Sequence, residues 1–126
     1  MKRTILATCC FLIFSSVANA CGGIPIKGTS GADYCLSNDR MNWYSAYTWC
    51  EAQGLNMLDL SVVCKTISGP CNELKSSIDG FYPAWTNMSF SSKNAEIIDI
   101  ATGHINQGQG YARTTGFYAI CYNTLK

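Results

Sequence analysis

Residues 41–58 read MNWYSAYTWCEAQGLNML. Trp43, Ala46 and Cys50 stand at i, i+3 and i+7, so a helix through them places all three on one stripe, with Tyr47 and Trp49 widening or flanking it. Asn42 offers a side-chain oxygen to an otherwise orphaned amide of the first turn. Gly54 stands where a left-handed cap would close the helix. The stretch predicts an amphipathic helix that carries a cysteine inward. What that cysteine reaches fixes the architecture.

Upstream, Lys2 and Arg3, an apolar run over residues 5–14 and the small-residue stretch SSVANA have the order of a secretory signal peptide over residues 1–20, with cleavage expected before Cys21. The apolar run is too short to span a bilayer as a helix, and no later stretch is apolar for long enough. Lipid attachment at Cys21 fits poorly, because Ala18 stands where a large apolar residue is required and lipidation would leave an odd cysteine count. Residues 21–126 suit one domain, large enough for a modest core that gains from cross-links. Counted from Cys21, five Lys and two Arg oppose eight Asp and Glu, a net charge of −1. No basic field exists to hold nucleic acid, and no basic amphipathic face to hold anionic lipid. Cys21, Cys35, Cys50, Cys64, Cys71 and Cys121 read as a disulfide framework, which places the protein outside the cell or in the periplasm. Six cysteines allow fifteen pairings. The spacings lack the paired C-x-x-C knuckles of a zinc site.

The Gly-rich opening CGGIPIKGTSGADYC suits a strand or hairpin closed by its two cysteines. After the helix, LDLSVVC predicts a second, shorter helix capped by Asp59, and Gly69-Pro70 breaks it. Cys64 and Cys71 are near enough to clip the loop that follows. Asp79-Gly80 marks a turn into the aromatic strand FYPAWTN, where Pro83 predicts an edge or bulge. In AEIIDIATGHI, Ile98 and Ile100 share one face and Ile97 and Asp99 the other. INQGQGYARTTGFYAICY reads as a hairpin with a Gly-rich connection, ending in an apolar strand over residues 116–122. The order of elements predicts an α+β domain with two short helices on an antiparallel sheet.

The run W-x-x-A-x-x-x-C-x-x-x-G-x-x-x-L from Trp43 to Leu58, the terminal YAICY and the intervening AWTN together resemble the C-type lectin-like domain, over nearly the whole of residues 21–126. They match its first helix, its last strand and its central Trp-containing strand, and are most similar to small bacterial members. The resemblance implies a C-type lectin-like fold in which Cys50 pairs with Cys121, Cys64 with Cys71 and Cys21 with Cys35. Calcium-dependent sugar-binding members carry Glu-Pro-Asn or Gln-Pro-Asp in a long loop and Trp-Asn-Asp on the next strand, and none of these occurs here. Ca²⁺ demands six to eight oxygens, whereas Glu96 and Asp99 are the only carboxylates after Trp85. The expectation is a protein without metal or cofactor.

Catalysis has little to stand on. His104 is the lone histidine and follows Gly103 in a turn; Glu96 and Asp99, three apart on a strand, face opposite sides. The stretch GQG lacks the further glycine and helix of a phosphate cradle. Trp43, Trp49 and Trp85 are expected in the core. Tyr82, Tyr111, Tyr118 and Tyr122 can offer a ring while keeping the hydroxyl wet. Asn106, Gln107, Gln109 and Arg113 gather polar donors in one stretch. The expected ligand-binding set is Tyr82, Asn106, Gln107, Gln109, Tyr111 and Arg113. Asn87-Met88-Ser89 also fits an N-glycosylation acceptor. The expected function is non-enzymatic recognition of a surface protein or glycan without calcium; the alternative is a structural subunit or cap of a pilus or adhesin fibre. The fold alone does not name a ligand.

Overall fold

The structure, a computed structural model, describes residues 21–67, 69–75, 80–106 and 110–123. The expected leader lies outside the described residues. β1 (Ile24–Lys27) and β2 (Asp33–Leu36) form an antiparallel hairpin, Ile24 opposite Leu36 and Lys27 opposite Asp33. Then come α1 (Trp43–Ala52), β3 (Asn56–Met57), α2 (Leu60–Val63), a 3₁₀ turn (Asn72–Leu74), β4 (Pro83–Ser89), β5 (Asn94–Asp99), β6 (Tyr111–Ala112) and β7 (Tyr118–Tyr122).

Local chemistry sets both helices. Asn42 accepts from the Ser45 N–H at 2.8 Å, and Asp59 accepts from the amides of Ser61 and Val62. Gly54, at φ 75°, turns the chain out of α1 where a side chain would be strained. The exposed amide of Gly22 is held by Gln53, and Glu73 gathers Thr29, Ser30 and the Tyr34 hydroxyl at 2.8 Å. A β-carbon on Gly28 would strike the Glu73 carboxylate and the Tyr34 ring, so glycine lets the hairpin approach the 3₁₀ turn without displacing either side chain.

The domain is α+β, but its seven-stranded sheet is mixed rather than antiparallel. Strands run in the order β1-β2-β7-β4-β5-β6, with β3 added to β7. β7 is antiparallel to β2 and β3 but parallel to β4, Ala84 beside Tyr118 and Trp85 beside Ala119. A parallel pair needs a long connection, which β5, β6 and their loops supply. The expected hairpin onto the last strand does not form. β6 pairs instead with β5, Tyr111 opposite Ala95. The Arg113 N–H donates to Lys93 and its carbonyl accepts from Trp43, both at 2.8 Å, so the chain leaves β5 before β7 begins. Pro83 is likewise not on an edge strand. β4 lies between β7 and β5, and Pro83 is tolerated as its first residue, opposite Asp99. The irregularity comes later, as a register shift between Trp85 and Ser89.

Alternation along the strands divides the core between two faces. Tyr118, Ile120 and Tyr122 of β7 join Leu36, Leu58, Leu60, Leu74, Ala84, Ile98, Ile100 and Ile105 on the first face. Phe117, Ala119 and Cys121 join Ala46, Cys50, Met57, Trp85, Ala95 and Ile97 on the second, beneath α1. Trp85 is fully buried, with its Nε1–H on the Met41 carbonyl at 2.9 Å. Trp43 and Trp49 are half-buried at the rim rather than inside. They flank the buried stripe of Ala46 and Cys50.

Three disulfides close the fold. Cys50 joins α1 to β7 and Cα atoms 5.5 Å apart bridge to Cys121; Cys21 bridges to Cys35 at 5.7 Å and Cys64 to Cys71 at 5.0 Å. Cys35 and Cys121 are direct partners across β2 and β7, so two of the bridges lie side by side.

Candidate functional site

The second face of the sheet ends in an aromatic rim. Asn42 and Trp43 begin α1 there, and the chain from β6 to β7 crosses in front of them. Met41 and Phe117 exchange two backbone hydrogen bonds, at 2.7 and 3.0 Å. The Thr115 N–H closes a turn on the Ala112 carbonyl at 2.9 Å. This clamp fixes Arg113 over the indole of Trp43, with the guanidinium carbon 4.1 Å from the ring centroid. Nη2 of Arg113 donates to the Ser89 hydroxyl and to the Ser91 carbonyl. Its buried Nε–H has no acceptor among the described residues. The Trp43 Nε1–H donates to the Thr86 carbonyl at 2.9 Å, which ties the indole to β4.

Other rings extend the rim. Tyr47, one helical turn on, stacks on Trp43 at 5.7 Å and 15°, and Tyr44 meets it edge-on at 5.4 Å. Beyond Arg113, Tyr111 stands edge-on to Phe117 at 5.0 Å, and Phe117 edge-on to the buried Trp85. Phe90 lies against Gly110, whose φ of 74° and close approach to the Ala95 carbonyl leave no room for a side chain. Tyr44, Tyr47, Phe90 and Tyr111 are 53%, 43%, 40% and 39% exposed, so the rim is open to a ligand. Such a surface offers flat apolar faces, phenol hydroxyls and a guanidinium that is already held in place.

Of the residues expected to bind, Tyr111 and Arg113 come together here. Asn106 lies beside β5, its N–H on the Ile97 carbonyl at 3.2 Å. Gln107 and Gln109 lie outside the described residues. Tyr82 is elsewhere: it packs on Tyr118 at 5.2 Å against the core of the opposite face, and Arg40 lies over Tyr118. The separation follows from strand alternation, since Phe117 and Tyr118 point to opposite faces of β7. Tyr122 is buried. Sequence reasoning missed Tyr44, Tyr47 and Phe90. The signal was the helical offset of Tyr44 and Tyr47 from the Ala46–Cys50 stripe.

Two carboxylates of β5 serve the frame. Glu96 is buried, which pushes its carboxyl up against the opposing pull of the Ile97 N–H and His104. Asp99 accepts from the amides of Tyr82 and Ala101 and from the Thr102 hydroxyl, and so shapes the turn before the exposed His104. Among the described residues no three His, Cys, Asp or Glu side chains gather closely enough to hold a metal ion. Among them, too, no helix is long and apolar enough to cross a membrane.

No protein-family model matches this chain, and no curated protein matches it.

Proposed function

We propose that the protein is a secreted, non-enzymatic recognition module of C-type lectin-like fold, which binds a surface protein or glycan without calcium. The observation that carries this reading is the open cluster of Tyr44, Tyr47 and Arg113 around Trp43, with exposed Tyr111 and Phe90 on the chain beside it. Tyr, Trp and Arg are the side chains that dominate binding energy at protein interfaces, and flat rings beside polar groups suit the faces of sugar rings equally well. The cluster sits on a frame stapled by Cys50–Cys121 and Cys21–Cys35, so little ordering cost falls on the rim when it binds. The lectin-like assignment is supported by the bridge from the first helix to the last strand and by the pairing of β2 with β7.

The test is capture from surface extracts and on a glycan array, each with and without EDTA. Tyr47→Ala and Tyr111→Ala, both partly exposed, should each weaken capture about ten-fold or more, the size expected for a ring at the centre of an interface, while EDTA leaves it unchanged. Wild-type capture by the double variant would refute the assigned face, and loss in EDTA would refute calcium independence.

Exposed Val62, Ile67 and Phe81 favour a second reading, the subunit or cap of a surface assembly. Against strand addition, the outer strand β1 carries Pro25 and Lys27, which blunt an edge. A strictly monomeric elution on size exclusion would remove the assembly reading.

A further inference from the structure

The first face of the sheet carries a small depression of its own, of about 200 Å³, between the start of α2 and the distal half of β4. Asp59, Leu60, Ser61, Ile67, Asn87 and Met88 line it. Leu60 is buried, Met88 is half-buried and Ile67 stands half out of the surface, so three of the walls are apolar. The rim is polar. Oδ1 of Asp59 accepts from the Ser61 hydroxyl at 2.7 Å, the Ser61 N–H at 3.0 Å and the Val62 N–H at 3.4 Å. Oδ2 receives the Asn87 amide at a long 3.4 Å. Among the described residues the one ion pair is Lys27–Asp33, so none of their cations pairs with Asp59. Burial pushes its carboxyl up, but the bonds from Ser61, Asn87 and Val62 outweigh that and hold it below the usual range.

These features select an occupant. The depression is smaller than the roughly 300 Å³ at which drug-sized ligand sites begin. That leaves room for one side chain. An anion would meet the Asp59 charge. A wholly apolar group would cover the carboxylate without offering it a partner, at a desolvation cost. A hard cation needs many oxygens where one carboxylate is present. Lysine and arginine combine an apolar stem with a charged head, and that combination matches apolar walls beneath an ionised rim.

We propose that this depression receives a single lysine or arginine side chain of a protein partner. The stem lies on Leu60, Ile67 and Met88, and the head donates to Asp59 Oδ2 and the Asn87 carbonyl oxygen. The site is separate from the aromatic rim, so either can fail while the other stands.

The experiment titrates the oxidised, isotope-labelled protein with acetyl-Gly-Arg-Gly-amide, acetyl-Gly-Lys-Gly-amide and acetyl-Gly-Leu-Gly-amide, following backbone amide shifts. The basic peptides should move the amides of Leu60, Ser61, Asn87 and Met88 saturably, and added salt should weaken them. The leucyl peptide should bind at least about ten-fold more weakly, the factor expected when a charge-assisted hydrogen bond is lost. Asp59→Asn keeps a capping oxygen for α2 and should weaken the basic peptides by a similar factor. Ile67→Ser, on an exposed wall, should weaken them several-fold with an unchanged melting temperature. Equal binding of the leucyl peptide would make this an apolar docking patch and overturn the proposal. So would full affinity in Asp59→Asn and Ile67→Ser, or saturable shifts confined to another surface.

Discussion

Removing the Cys50–Cys121 bridge as Cys50→Ala/Cys121→Ala tests the frame on which both surfaces rest. The two residues are 71 apart in sequence, and a loop of that length restricts the unfolded chain by about 4 kcal/mol in the chain-entropy picture. Both sulfurs are fully buried under α1, so their loss adds about 1 kcal/mol for the space left behind. The Cys64–Cys71 bridge closes only a 7-residue separation, worth about 2 kcal/mol on the same relation. Small domains hold roughly 5–15 kcal/mol in all, so the first variant should sit near the unfolding threshold. Its melting temperature should fall on the order of 20 °C. Urea titration followed by tryptophan fluorescence is a suitable assay, because Trp85 is fully buried against the same face as Cys50. The midpoint should drop and the slope should steepen as the unfolded chain expands. The reasoning fails if the midpoint is unchanged, or if Cys64→Ala/Cys71→Ala costs as much.

Trp85→Ala should destabilise by about 4 kcal/mol, since it empties a buried site and removes one of the two donors to the Met41 carbonyl; thermal melts would read this, and a loss under 1 kcal/mol would count against Trp85 as the centre of the second face. Arg113→Ala should lower the melting temperature as well as any binding at the rim, because its guanidinium joins Trp43 to Ser89 and Ser91. Unchanged stability would make Arg113 a surface group. Gly103→Ala should destabilise through a φ of 78° and a clash with the Cys71 carbonyl, and an unchanged denaturation midpoint would refute the close approach. Acid should weaken the fold. Asp59 and Glu73 are held below their usual range, burial notwithstanding, by hydrogen bonds that favour the charged form: from Ser61, Asn87 and Val62 in one case, from Ser30, Tyr34 and Thr29 in the other. Their contribution is present above the ordinary carboxylate values and disappears as pH falls through the lowered ones. Glu96, raised by burial, works in the other direction: its contribution is present below the ordinary value and is lost as pH rises through the raised one. Glu73→Gln should flatten the acid limb of a stability–pH curve, and an unchanged limb would exclude Glu73 as a source.

Much of the framework was legible because it depends on near neighbours. Asn42 and Asp59 cap the helices that begin beside them, Gly54 ends α1, and Ala46 and Cys50 share the buried stripe their spacing requires. The split of Ile97 from Ile98 and Ile100 between two faces follows from alternation alone. The site was legible only in pieces. Tyr111 and Arg113 stood out as residue types, but the rings that join them come from α1 and from the turn after β4.

Sequence alone determined where the chain could turn, which side of each element would be apolar and that six cysteines would be cross-linked. Tertiary structure decided that β4 and β7 run parallel, that β6 pairs with β5 rather than β7, and that Tyr82 lies on the far face from Tyr111. The reason is physical. A cap or a stripe is settled within one or two turns of chain. The meeting of Arg113 with Trp43, or of Asp59 with Asn87, depends on strand register and crossover direction, which many distant contacts fix together.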